Sequence, residues 1–147
     1  MRAKDPSLIY RKAYFDKLIN QISVVSGLTI PVYDIVPADA VAPYIILSST
    51  ALTPINTNSN YGFQASITLD VVTRFKSGGG KKLVDDITTK IFDKVYNDGV
   101  FFIDSDWSIN ATQLDNTKYL ELESTSGYVI RKLITFNNFI QQLGGGE

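Results

Sequence analysis

Two short stretches hold the side chains best suited to chemistry. Ser77-Gly78-Gly79-Gly80-Lys81-Lys82 joins a glycine turn to paired lysines, the ingredients of a phosphate cradle. Asp104-Ser105-Asp106 sets two carboxylates two residues apart, the kind of oxygen donors a divalent cation takes. The first lacks the G-x-x-x-x-G-K-[ST] spacing that wraps backbone N–H groups around phosphate. The second lacks the further oxygen ligands of a calcium loop. The chain has no His and no Cys, which removes imidazole bases, thiolate nucleophiles, disulfides and the usual zinc ligands. No catalytic residue, metal ligand or cofactor is assigned, and the expectation is a protein that is not an enzyme. A small enzyme or ligand-binding domain using carboxylates is the rival, although the sequence places no two acids in one pocket.

The same charges can instead make contacts. Arg74, Lys76, Lys81 and Lys82 flank the glycine turn. They read either as a basic prong toward DNA phosphate or an acidic neighbour, or as a solvated turn beside Asp85 and Asp86. Those aspartates near a helix N-terminus interact favourably with its dipole. From Asp104 to Glu123 the balance is acidic, with Asp104, Asp106, Asp115, Glu121 and Glu123 against Lys118. In a head-to-tail assembly this stretch of one copy could meet the basic turn of the next; it could equally be a wet face. Trp107, Phe101 and Phe102 read as core or interface anchors.

These residues need elements to hold them. Odd positions from Tyr61 to Phe75 are apolar, small or Thr, and even positions are mostly polar. That period of two predicts one long strand, 61–76, with a buried and a wet face. The glycine turn ends it. Leu83, Val84, Ile87, Ile91, Phe92 and Val95 then mark a helix stopped at Asn97-Asp98-Gly99. Upstream, a helix is predicted over about Ser7 to Val25, with a stripe through Leu8, Phe15, Leu18, Ile19 and Ile22, ended by Gly27. A short edge strand follows within Thr29–Val36, then a strand from Pro43 to Thr50. Thr53 to Asn60 reads as a polar loop. Downstream, Val100–Ile103 has no assigned state, and Trp107–Leu114 alternates weakly, with Trp107, Ile109 and Ala111 on one side. Asp115-Asn116 reads as a turn, Tyr119–Glu123 as a short strand and Tyr128–Phe136 as the last main strand. Phe139, Ile140 and Leu143 could dock, and residues 144–147 read as a loose tail. Short turns between strands predict an α+β domain: one mostly antiparallel sheet of four to five strands, two helices on one face, and extended loops.

Length and composition agree with a single domain, 1–143. The chain has 147 residues, 44% of them apolar, with net charge −1. No apolar run approaches the roughly 20 residues that cross a bilayer, and no net field draws the chain to nucleic acid or membrane.

In order and pattern the chain resembles the bacteriophage tail-completion and tail-terminator proteins, which include small neck and head–tail connector subunits. The likeness is carried by Tyr14-Phe15-Asp16-Lys17-Leu18, Pro43-Tyr44-Ile45-Ile46-Leu47, the strand Ile67 to Arg74 with its glycine turn and following helix, and Tyr128 to Phe136. It covers most of the chain. The glycine-rich basic turn and the paired aspartates depart from the family pattern. The resemblance implies a structural virion protein forming a homo-oligomeric ring, of six subunits or a multiple, around the DNA channel. Its implied partners are adjacent portal, adaptor or tail proteins, with genomic DNA passing through the lumen without sequence-specific binding and no membrane. It implies assembly in the bacterial host cytoplasm and residence in the virion neck or tail. On that basis the expected subunit interface draws on Thr53, Pro54, Ile55, Asn56, Asn58, Arg74, Lys76, Lys81, Lys82, Asp104 and Asp106. A tail-tube or baseplate subunit is the nearest alternative.

Overall fold

A computed structural model of the chain describes residues 4–24, 27–56, 61–76, 80–96, 99–124 and 127–143. The elements in order are helix α1 (Ser7–Leu18), strands β1 (Val32–Tyr33), β2 (Tyr44–Asn56) and β3 (Tyr61–Phe75), helix α2 (Lys82–Val95), and strands β4 (Val100–Ile103), β5 (Trp107–Ser124) and β6 (Gly127–Gln142). The strands form one sheet in the order β1-β2-β3-β6-β5-β4. It is mixed, with β1 parallel to β2 and every other pair antiparallel, and it curls as a half-barrel. Six strands replace the expected four to five: the expected edge strand is present as β1, and Val100–Ile103, too short for periodicity to mark, adds β4.

β3 follows its alternation. Ala65, Ile67, Leu69, Val71 and Thr73 are buried toward the helices. Their register partners on β6 continue that surface through Ile130, Lys132, Ile134, Phe136 and Asn138. The helix α2 buries Val84, Ile87, Thr88, Ile91 and Val95, close to the expected stripe.

α1 is shorter than expected. Its last backbone bond runs from Ile19 N–H to Phe15 O, and Asn20 then takes φ 60°. Asn tolerates that left-handed conformation and acts as the stop expected of Gly27. The buried residues are Tyr10, Ala13, Tyr14 and Leu18, while Leu8 points outward at 70% exposure. Two tyrosines bury because a partner waits for both. Asn138 Oδ1 accepts from Tyr10 OH (2.8 Å) and Tyr14 OH (2.5 Å), and Asn138 Nδ2 donates to Thr112 Oγ1 (2.9 Å). Burial pushes both phenols up, further sealing them as neutral donors. One buried amide thereby ties α1 to β6 and β5.

β5 corrects three expectations. The segment 107–124 is one strand, not two strands with a turn at Asp115-Asn116. Register irregularities lie between Asn110 and Gln113 and between Leu114 and Asn116. Each inserts a residue and reverses which face follows. Ala111, at φ 52°, occupies the first, so it does not share a side with Trp107 and Ile109. The shift turns Thr112 inward to Asn138. Similarly, β2 runs to Asn56, so Thr53–Asn56 belongs to a strand rather than a loop. β6 continues to Gln142 and absorbs Phe139 and Ile140.

Asn138→Leu leaves two buried hydroxyls without their acceptor. It should lower stability by about 2–4 kcal/mol, since each orphaned group costs about 1–3 kcal/mol, whereas Tyr10→Phe or Tyr14→Phe should each cost about 1 kcal/mol. Urea denaturation of the three variants checks this; an unmoved midpoint for Asn138→Leu would show that the amide does not anchor α1.

Candidate assembly interface

Residues level with one another across adjacent strands share a face. One face of the sheet is covered by α1 and α2, and the other carries no helix. Across the uncovered face run rows such as Lys118–Leu133–Asp70–Ile46 and Leu120–Arg131–Val72–Tyr44. Further along come Asn116–Thr135–Thr68–Ser49 and Gln113–Asn137–Ser66–Ala51. The face therefore changes character along the strands, from apolar with an ion pair to uncharged hydroxyls and amides. Thr68 and Thr135 hydroxyls meet at 3.0 Å.

The ion pair is Asp70 with Arg131. Asp70 is 2% exposed. The guanidinium holds it from Nε at 3.2 Å and from Nη2 in a second, parallel bond. The Asp70 hydrogen bonds raise the Arg131 pKa against the opposing effect of burial. Such a fork satisfies both groups and adds little as a net stabiliser, but breaking it strands a buried charge.

At the same end, on the helix side, lies a second charged cluster. Lys132 Nζ donates to Asp85 Oδ1 at 2.9 Å, and Tyr119 OH donates to the same oxygen at 2.6 Å. Burial alone would raise the Asp85 pKa; the Tyr119 hydroxyl and the Lys132 ammonium outweigh it, and the net shift is downward. Lys81 lies 3.6 Å from Glu121 and over the Tyr119 ring. Glu121 also accepts from Tyr128 OH at 3.0 Å.

The structure separates several residues expected to act together. Arg74 and Lys76 close β3 at the end where β6 begins, and Lys81 and Lys82 start α2. Lys82 pairs with Asp86 at 2.8 Å, so the aspartates beside the glycine turn partly neutralise it. Asp104 and Asp106 lie at the opposite end, in the turn between β4 and β5. Asp104 Oδ1 accepts from the N–H groups of Asp106 and Trp107 at 2.8 and 2.7 Å, and Asp106 lies 3.3 Å from Lys4. That is a turn-forming carboxylate, and among the described residues no group of three or more His, Cys, Asp or Glu could hold a metal. Within the acidic stretch, Glu121 and Glu123 lie at the basic end, and Lys81 of the same chain reaches Glu121. Trp107 and Phe101 are buried in the core. Thr53, Pro54 and Ile55 are exposed on the outer half of β2, which also holds Asn56; Asn58 falls outside the described residues.

Of the two sheet borders, the edge strand expected within Thr29–Val36 is present as β1, while β4 arises from Val100–Ile103, to which the sequence assigned no state. β1 covers β2 only at Ile45 and Ile46, and β4 meets β5 at Ser108–Asn110. A border signal was present in Leu120 and Leu122, whose alternation with Glu121 and Glu123 is out of phase with the core. They face away from the helices, at 37% and 58% exposure. No helix of the described residues is long and apolar enough to cross a membrane.

Comparison with known proteins gives these surfaces a context. The family model described as "Tail completion protein gp17" matches residues 17–118, well over half of the chain. The chain belongs to that family. A chain in a structure titled "Virion of native gene transfer agent (GTA) particle" has a similar fold, with a TM-score of 0.62 and 15% sequence identity, covering 75% of this chain and 78% of that one. A search of curated proteins finds no match. The tail-completion match runs from the last two residues of α1 through most of β5, so it includes β2, β3 and α2. This is a structural virion protein of a tailed phage or phage-like particle.

Arg131→Leu should cost about 3–5 kcal/mol, because it leaves the Asp70 carboxylate buried and unpaired. Asp70→Leu combined with Arg131→Leu should recover most of that loss in thermal or urea unfolding. A double variant as unstable as Arg131→Leu would show that the fork is not the cause.

Proposed function

We propose that this tail-completion protein is a non-enzymatic subunit of a homo-oligomeric ring at the phage neck, terminating the tail or joining head to tail around the DNA channel. The family match carries the reading. Several features of the chain support it. The sheet has a long uncovered face and two borders with exposed apolar side chains, which a solitary domain would be expected to blunt. The uncharged rows from Gln113 to Thr53 suit a surface past which DNA slides, since hydroxyls and amides neither neutralise phosphate nor release counterions. The close ion pair on that face, Asp70 with Arg131, is internally compensated. Portal, adaptor or tail proteins would then contact the two ends of the ring, where the charged turns lie. The basic group Arg74, Lys76, Lys81 and Lys82 marks one end and Asp104 with Asp106 the other.

In mass photometry, purified protein should show a closed multimer with a single preferred copy number. Antibody labelling of intact particles should place it at the junction of head and tail. A protein found along the whole tail shaft, or absent from assembled particles, would overturn the ring assignment.

A further inference from the structure

We propose that copies of this chain join side by side through the stepped borders of the sheet. In this junction β4 of one copy adds to the upper border of the next copy's β2. That copy's β1 in turn adds to the lower border of the first copy's β5. The inference rests on the ring reading and names the surfaces that would build it.

The argument begins with the registers. Ile103 on β4 is level with Ser108, Gln141, Gly62 and, at the far border, Ile55. Val32 on β1 is level with Ile45, Val71, Lys132 and, at the other far border, Tyr119. The two short strands therefore stand at opposite ends of opposite borders. Each leaves a notch one strand wide on its own side: beside β2 beyond β1, and beside β5 beyond β4. Two copies placed level bring the β4 of one into the first notch and the β1 of the other into the second. Together the short strands fill a single strand-wide slot between β5 and the neighbour's β2.

Strand direction permits both additions. Four antiparallel steps separate β4 from β2, so they run the same way, and β4 would add in parallel. β1 runs with β2 and against β5, so it would add antiparallel. The contact is head-to-tail, with different surfaces on its two sides, the kind that builds a ring when its rotation closes and not a two-fold dimer.

Side chains agree with the geometry. Ile103 is 62% exposed and Ile55 is 47% exposed, and the registers place them on the same face and in the same row. Joined, they would cover one another. Leu120 and Leu122 of β5 would meet the β1 end of the next copy, beside Tyr33 and Tyr44, whose rings already pack edge to face at 5.7 Å. The border 48–55 of β2 carries no Lys, Glu, Asp or Arg, the charges that usually protect an edge strand. Pro54 withholds one donor there, which leaves the apolar contact of Ile55 with Ile103 as the main attraction of that half. The chain of Leu114 is capped by the Tyr96 hydroxyl at 3.3 Å, so the open run of β5 begins at Asp115.

The absence of cysteine from the sequence makes the test clean. Adjacent strand partners lie within the 4.4–6.8 Å Cα range of a disulfide. Under mild oxidation, the full chain carrying both Ile55→Cys and Ile103→Cys should give a ladder of covalent multimers that reductant collapses. An equal mixture of the two single variants should give covalent dimers only, and each single variant alone should give none. Ile103→Asp should weaken assembly at least tenfold without moving the urea midpoint. Multimers in mass photometry that never become cross-linked would overturn this border while leaving the ring intact. Ile103→Cys dimerising with itself would replace it with a two-fold contact. A protein that remains monomeric and unlinked at all concentrations would overturn the ring and the border together.

Discussion

The ladder between β3 and β6 is the constraint on which the other elements depend. It runs without a shift from Gly62 opposite Gln141 to Phe75 opposite Tyr128. Because it is unbroken, every inward residue of one strand is matched by an inward residue of the other, and the two helices have a continuous surface to cover. At one end Gly62 lies close to Ile55 O and the Phe139 ring, at 3.0 and 3.1 Å from where a Cβ would stand. At the other, Gly127 takes φ +147° with Phe75 O 2.7 Å from that position. Side chains at either site would force the central strands apart.

The ladder also fixes what remains open. Its two strands are long, and the hairpin partners β2 and β5 are correspondingly long, but β1 and β4 are short. A sheet with long inner strands and short outer ones, staggered to opposite ends, has incomplete borders. The helices cannot repair them, because α1 and α2 sit on the face of the sheet. A protein that works alone would be expected to charge or shorten such borders. Here the β2 border is uncharged and the β5 border turns Leu120 and Leu122 outward. The membership in a tail-completion family supplies a reason for tolerating this, since a virion subunit is seldom without a neighbour.

Much of this fold was legible in the sequence where one periodicity persisted. β3 shows fifteen residues of alternation and α2 shows one clean stripe, so both were placed nearly to the residue. β5 was not, because Ala111 and the shift at Asp115 reverse its phase twice and make one strand look like two with a turn. β6 was cut short because polar residues occupy buried positions. Lys132 is held by Asp85, and Asn138 by two tyrosines more than a hundred residues away. Composition made Thr53–Asn56 look like a loop, although pairing with β3 extends it. Of the residues expected at an interface, Thr53, Pro54 and Ile55 lie on a border of the sheet, while Arg74 and its neighbouring lysines lie at one end. Of the border strands, β1 falls inside the edge strand expected within Thr29–Val36, while the four residues of β4 are too few to show a period.

A cryo-electron microscopy map of the assembled ring, alone or within the particle, tests the central claim most directly. The account predicts that strands continue from subunit to subunit at the usual spacing of about 4.8 Å, with β4 against one neighbour and β1 against the other. A map in which these borders face solvent, or are covered by a different protein, would contradict it.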